Sequence, residues 1–110
     1  MRTPYAAAKW GVIGFTKSLA LELGREDIRV NAILPGHVNT PRFKAVVERR
    51  SAMLGISPEE MEANILRPVA LGQQVECEDV ANMALYLCST FGKAISGQAI
   101  SVCGGVEMLQ

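Results

Sequence analysis

Ile28-Arg29-Val30-Asn31-Ala32-Ile33-Leu34-Pro35-Gly36 is the stretch that decides the fold. Between Ile28 and Leu34 only Arg29 and Asn31 are polar. A near-continuous apolar run of this length predicts a strand covered on both faces, the kind found in parallel sheets packed between helices. Pro35-Gly36 ends it, since proline cannot donate to a ladder and glycine turns freely.

On the N-terminal side, Thr3 is expected as a hydroxyl N-cap and Pro4 as the first helical residue. The helix runs to Leu23, with Gly24 as its stop. Val12, Phe15, Leu19 and Leu23 form an apolar stripe, and Trp10, Ile13 and Leu21 widen it, so more than one side should be covered. Gly11 and Gly14 each cost a helix about 1 kcal/mol relative to alanine, which points to close packing against another helix, with an incidental weakness as the other reading.

On the C-terminal side, His37 to Gln74 is mixed. Phe43, Val46, Val47 and Arg50 predict a short amphipathic helix. Ser57-Pro58-Glu59-Glu60 carries the Ser-x-x-Glu capping box and starts another, ending near Pro68. So long an excursion between regular elements predicts a lid or binding region, residues 41–74. Glu78-Asp79 place acid in the first turn of a helix reaching about Ser89, with Val80, Met83, Ala84 and Leu87 as its apolar stripe. Ser96-Gly97 form a turn, Gln98 to Val102 a last strand, and Gly104-Gly105 its end. The class is therefore α/β. The second strand, reached through a helix, should lie parallel to the first. Two strands cannot make a sheet covered on both faces, so the others are expected from sequence outside these residues or from another chain.

Composition narrows the function classes. The chain has 110 residues, 49% of them hydrophobic and 20% charged, which excludes a disordered segment. Eleven basic residues balance eleven acidic ones, which gives no pull toward nucleic acid; Arg49-Arg50 is a solvated helix edge. No apolar run approaches the roughly eighteen residues of a membrane span, and no signal peptide is visible. Cys77, Cys88 and Cys103 are odd in number and lack C-x-x-C spacing. They are expected as reduced thiols of a cytoplasmic protein. With His37 the single histidine, no metal site is expected.

Tyr5 and Lys9 stand four apart, one above the other on a helix face. A free tyrosine titrates near 10, and an ammonium one turn away favours the phenolate. A Tyr-x-x-x-Lys helix can thus supply a tuned general acid or base, although any helix can carry such a pair by chance. Context adds to it. The run Tyr5-Ala6-Ala7-Ala8-Lys9-Trp10-Gly11-Val12-Ile13-Gly14-Phe15-Thr16-Lys17-Ser18-Leu19-Ala20 resembles the active-site helix of the short-chain dehydrogenase/reductase family. Ile28 to Gly36 is similar to that family's following strand and its Pro-Gly turn. Val38-x-Thr40 resembles the segment at the nicotinamide end of the cofactor. Glu78-Asp79-Val80-Ala81 and Ser96-Gly97-Gln98 resemble the last helix and the turn into the last strand. The likeness runs from Thr3 to Gly105.

The resemblance implies the C-terminal portion of a Rossmann-like, doubly wound parallel sheet, with residues 1–110 as part of a single domain and 41–74 as its substrate lid. It implies Tyr5 as proton donor to a carbonyl, or acceptor from an alcohol. Lys9 would hold the nicotinamide ribose and lower the Tyr5 pKa. Pro35 and Gly36 would shape the backbone against the nicotinamide, Val38 would hold the carboxamide through its backbone, and Thr40 would add a hydroxyl contact. The cofactor would be NAD or NADP, met only at its nicotinamide end. The partners would be a small alcohol or ketone and further copies of the chain, in a dimer or tetramer, with the Gly11/Gly14 face similar to the family's helix-helix interface. Intrachain packing is the other reading of that face. No nucleic acid or membrane partner is expected.

The departures are specific. The glycine-rich phosphate turn, the residue that selects the adenine ribose, the catalytic serine and the relay asparagine of the family precede this stretch. Ser18 and Ser51 do not replace that serine, as one lies on the tyrosine helix and the other in the lid. Cys103 stands where many relatives carry Asp, and is expected as a small buried thiol. His37 lies near the expected pocket, Arg42 and Phe43 either line it or are a surface cation and a core aromatic, and Met53, Met61 and Ile65 are read as packing, with an apolar substrate wall as the other reading. Two functions follow: an NAD(P)-dependent oxidoreductase as part of a longer enzyme, or a catalytically inactive fragment or association module that docks on related subunits.

Overall fold

The structure is a computed structural model and describes residues 2–106. Its elements run α1 (Thr3–Leu23), β1 (Ala32–Pro35), α2 (Pro41–Leu54), α3 (Pro58–Leu66), α4 (Cys77–Cys88) and β2 (Ala99–Val102). The chain divides into two compact units, one built from Met1–Leu34 and Asn82–Ser101, the other from Pro35–Ala81 and Val102–Gln110.

β1 and β2 pair in a two-stranded sheet. Ala32 N–H donates to Gln98 C=O at 2.8 Å and Gly36 N–H to Val102 C=O at 2.9 Å. Both strands advance together between these bonds, so they are parallel, as the helical crossover requires. The expected strand began at Ile28; the observed one begins at Ala32. Opposite this flank lies the turn where Gly97 takes φ 70°, and there Gly97 N–H donates to Val30 C=O at 2.7 Å. Side chains add to that bond. Asn31 accepts from Gln98 N–H at 3.0 Å and donates to Ile95 C=O at 2.9 Å, and Ser96 Oγ accepts from Val30 N–H at 3.3 Å. Arg29 adds a bond to Gly92 C=O at 3.0 Å. The two polar residues that interrupt the apolar run thus hold the approach to the sheet.

Both ends of α1 differ from expectation. Arg2, not Thr3, occupies the N-cap, with no side-chain bond, and Thr3 is already helical. Gly24 does not stop the chain. It keeps a right-handed φ of −60° and opens a 3₁₀ turn over Gly24–Glu26. Asp27 takes the left-handed position, φ 58°, a conformation that a short polar side chain tolerates. Only Thr16 is buried on α1, its hydroxyl bonded back to Val12 C=O at 2.8 Å. Trp10 is 72% exposed, Phe15 64% and Leu21 85%. The stripe expected to be covered is therefore largely open among the described residues.

The second unit gathers Val47, Met61, Val69, Val75 and Cys103 as its buried apolar residues. The last of these is buried as expected of a small thiol. Thr40 caps α2 by accepting from Phe43 N–H at 3.3 Å, and Gly55 closes that helix with φ 66°. Ser57 caps α3 by accepting from Glu60 N–H at 3.1 Å. The carboxyl of Glu59 is held below its ordinary value of 4.5 by its backbone N–H and by the Ser57 hydroxyl. A carboxylate depressed in the folded chain favours folding above its ordinary pKa, and that contribution is lost as pH falls through the lowered value. Ser57→Ala is expected to cost about 1 kcal/mol through the lost cap, and to move the Glu59 titration back up. Thermal unfolding and an NMR titration of Glu59 read the two effects separately. No described helix is long and apolar enough to cross a membrane.

Candidate active site

Tyr5 and Lys9 lie in the first turns of α1, and the structure brings them together as the spacing predicts. The Lys9 ammonium lies 5.6 Å from the centre of the Tyr5 ring, and the Arg2 guanidinium lies at the same distance. Both are in the range where a cation is drawn to an aromatic face. Tyr5 is 59% exposed. Among the described residues neither its hydroxyl nor the Lys9 ammonium is engaged in a hydrogen bond, so both stay available to a ligand.

Pro35, Gly36, Val38 and Thr40 fall on one segment of the other unit, from the end of β1 to the cap of α2. Gly36 has a structural reason to be glycine. A Cβ there would lie 2.7 Å from Cys103 Cα and 2.8 Å from its carbonyl oxygen. Val38 pairs with Val75 in an isolated parallel bridge. Its two bonds run from Val75 N–H to His37 C=O at 2.9 Å and from Asn39 N–H to Val75 C=O at 2.8 Å. In such a bridge the N–H and C=O of Val38 itself point away from Val75. The carbonyl receives a long bond from the Thr40 hydroxyl at 3.4 Å, and the N–H has no backbone partner among the described residues. A backbone donor and acceptor side by side match the acceptor and donor of a primary carboxamide. The donor set of this segment thus fits the nicotinamide end of a dinucleotide. Thr40 Oγ1 serves both the α2 cap and Val38, and retains a lone pair.

His37 packs against Phe43 in a tilted arrangement, ring centres 5.9 Å apart at 54°. Met61 is buried while Met53 is exposed, and both line a recess with Arg50 and Leu54 between α2 and α3. The sequence reading passed over Asn39 and Glu76. Asn39 Nδ2 donates to the two carboxylate oxygens of Glu76 at 3.1 and 3.2 Å. The residues are far apart in the chain, and no local pattern marks either of them.

Residues 1–107 match the family described as enoyl-(acyl carrier protein) reductase. The 3-oxoacyl-[acyl-carrier-protein] reductase of Chlamydia muridarum (strain MoPn / Nigg) is 40% identical over 105 residues, 96% of this chain and 38% of its own length. A variant of actinorhodin polyketide ketoreductase, solved with NADPH, is 44% identical with a TM-score of 0.85, over 94% of this chain and 40% of that one. A short-chain dehydrogenase family protein from Francisella tularensis subsp. tularensis gives a TM-score of 0.89 at 29% identity, over 94% of this chain and 43% of that one. The chain spans 37–40% of the length of the first curated relatives it matches. A helix with paired Tyr5 and Lys9, a parallel β-helix-β unit and a match over nearly every residue agree: the chain belongs to the short-chain dehydrogenase/reductase family of oxidoreductases.

Proposed function

We propose that this chain carries the acid-base pair and the nicotinamide-end contacts of an NAD(P)-dependent oxidoreductase that interconverts an alcohol and a ketone. The observation that carries the reading is the Tyr5–Lys9 pair on successive turns, with neither hydroxyl nor ammonium in a hydrogen bond among the described residues. The dinucleotide, when bound, supplies or accepts the hydride. Tyr5 gives its hydroxyl proton to the carbonyl oxygen during reduction and takes it from the alcohol during oxidation. Lys9 holds the ribose hydroxyls. The Val38 backbone pairs with the carboxamide, Thr40 adds its hydroxyl, and Pro35 and Gly36 shape the turn beside it. Residues 41–74 serve as the substrate lid within a single domain. The names of the relatives favour a ketone carried on an acyl or polyketide chain.

Free Cys77 and Cys88, both exposed, favour the cytoplasm. The α1 face around Gly11 and Gly14 is the proposed subunit contact, since a Cβ at either glycine would meet nothing within 4 Å. The same open face, with Trp10 and Phe15 beside it, favours the second reading: a module that associates with related subunits without turning over substrate.

A chimera tests both. The part of actinorhodin ketoreductase that precedes the matched stretch is joined to residues 1–110, and NADPH oxidation is followed with a ketone. Turnover is the expected result. A folded chimera that binds NADPH and reduces no ketone would favour the association module. Residues 1–110 alone are expected to give no saturable NADH or NADPH titration in the micromolar range, because nicotinamide contacts are a small part of dinucleotide affinity beside the phosphate cradle.

A further inference from the structure

We infer that the Asn39–Glu76 pair is a positioning device, which holds the Val38 backbone in the orientation that pairs with the nicotinamide carboxamide; this rests on the function proposed above. The bridge between Val38 and Val75 is a single ladder rung, too short to be a strand. It needs a further tie to stay in register. Asn39 supplies it. Its main-chain N–H is one of the two bridge donors, and its side chain reaches both oxygens of Glu76. A bond to an ionised acceptor is the stronger kind. Glu76 is anchored in turn. Its N–H donates to Asp79 Oδ2 at 2.9 Å, and Asp79 N–H donates to its carbonyl at 3.1 Å, which roots it on the first turn of α4. The line of support thus runs from the start of α4 through Glu76 and Asn39 to Val38.

Both side chains are exposed, so the pair fills no core. It orients a segment. Loss of that tie leaves the segment attached but free to rotate about His37 and Thr40. Hydride transfer is sensitive to displacements of about 1 Å, whereas phosphate and adenine contacts lie elsewhere on the dinucleotide. The pair should therefore govern the chemical step more than cofactor affinity.

The test uses the chimera with Asn39→Ala, Glu76→Ala, Glu76→Gln, Asn39→Asp and the exchanged pair Asn39→Asp/Glu76→Gln. Measured are kcat, the dinucleotide KM, the primary isotope effect with NADPH deuterated at the transferred position, and amide exchange at Asn39 and Val75. For the two alanine variants kcat is expected to fall about tenfold while KM moves less than about threefold. Their isotope effect rises as hydride transfer becomes slower than product release, and both amides exchange faster. Glu76→Gln keeps an acceptor and stays within about twofold of the parent. Asn39→Asp sets two carboxylates face to face and is the slowest. Adding Glu76→Gln to it restores a donor-acceptor pair and recovers most of kcat. A mere loss of folded enzyme would lower kcat at unchanged KM with the parental isotope effect, and that result overturns the inference. Alanine variants with parental kcat, isotope effect and exchange overturn the inference alone. A parent chimera without turnover overturns the proposed function and, with it, this role.

Discussion

Replacing Tyr5 by phenylalanine in the chimera is expected to lower kcat by about 10²–10⁴-fold, or about 3–5 kcal/mol of transition-state stabilisation. The substitution removes one oxygen atom. The ring, its place between Arg2 and Lys9, and the helix around it all remain. Tyr5 is exposed and its hydroxyl holds no described partner, so unfolding temperature should not move. Dinucleotide KM should change little, because the role proposed for the hydroxyl is toward the reacting oxygen and not the dinucleotide. Lys9→Met is expected to raise dinucleotide KM as well as lower kcat, since the ammonium is assigned to the ribose. A Tyr5→Phe variant that retains kcat within tenfold would remove the acid-base role.

Gly36→Ala is expected to cost about 2–4 kcal/mol of stability, from overpacking and a weakened ladder bond together. The added Cβ would meet Cys103 Cα at 2.7 Å, its carbonyl oxygen at 2.8 Å and its Cβ at 3.0 Å. Two of these are backbone atoms that no rotamer change can move aside. Nor can Gly36 withdraw easily, because its N–H is bonded to Val102 C=O at 2.9 Å. Urea unfolding should show a lower midpoint at unchanged slope. Gly11→Ala is the contrasting control. It lies inside α1 with open space around it, so helix propensity alone predicts a gain of about 1 kcal/mol. A loss there instead would mean that a second copy covers the face, as proposed for the subunit contact.

The sequence by itself determined the elements, their order and the pairing of Tyr5 with Lys9 on one helix face. The apolar run at Ile28 to Leu34, the hydroxyl of Ser57 and the acid at Glu78-Asp79 are local signals. Each acts through a preference settled within a few residues: burial of a strand, capping of helix amides, and charge at a helix N-terminus. The four-residue step from Tyr5 to Lys9 is equally local, because helix geometry alone places them together. What the helix ends do was less legible. Gly24 had the residue type of a stop, but bonding to Leu23 and Gly24 passed the left-handed position to Asp27. The approach to β1 also depends on partners more than sixty residues away, since Asn31 bonds Ile95 and Gln98 and Arg29 bonds Gly92.

The tertiary structure alone decided why Gly36 is glycine, which way Val38 turns its amide and carbonyl, and that Asn39 meets Glu76. Each depends on two backbone segments distant in sequence coming within hydrogen-bond reach. Local preference carries no information about such meetings. They follow from closing the sheet and packing the segment at Val75 beside the end of β1, where the geometry of one chain segment becomes the environment of the other.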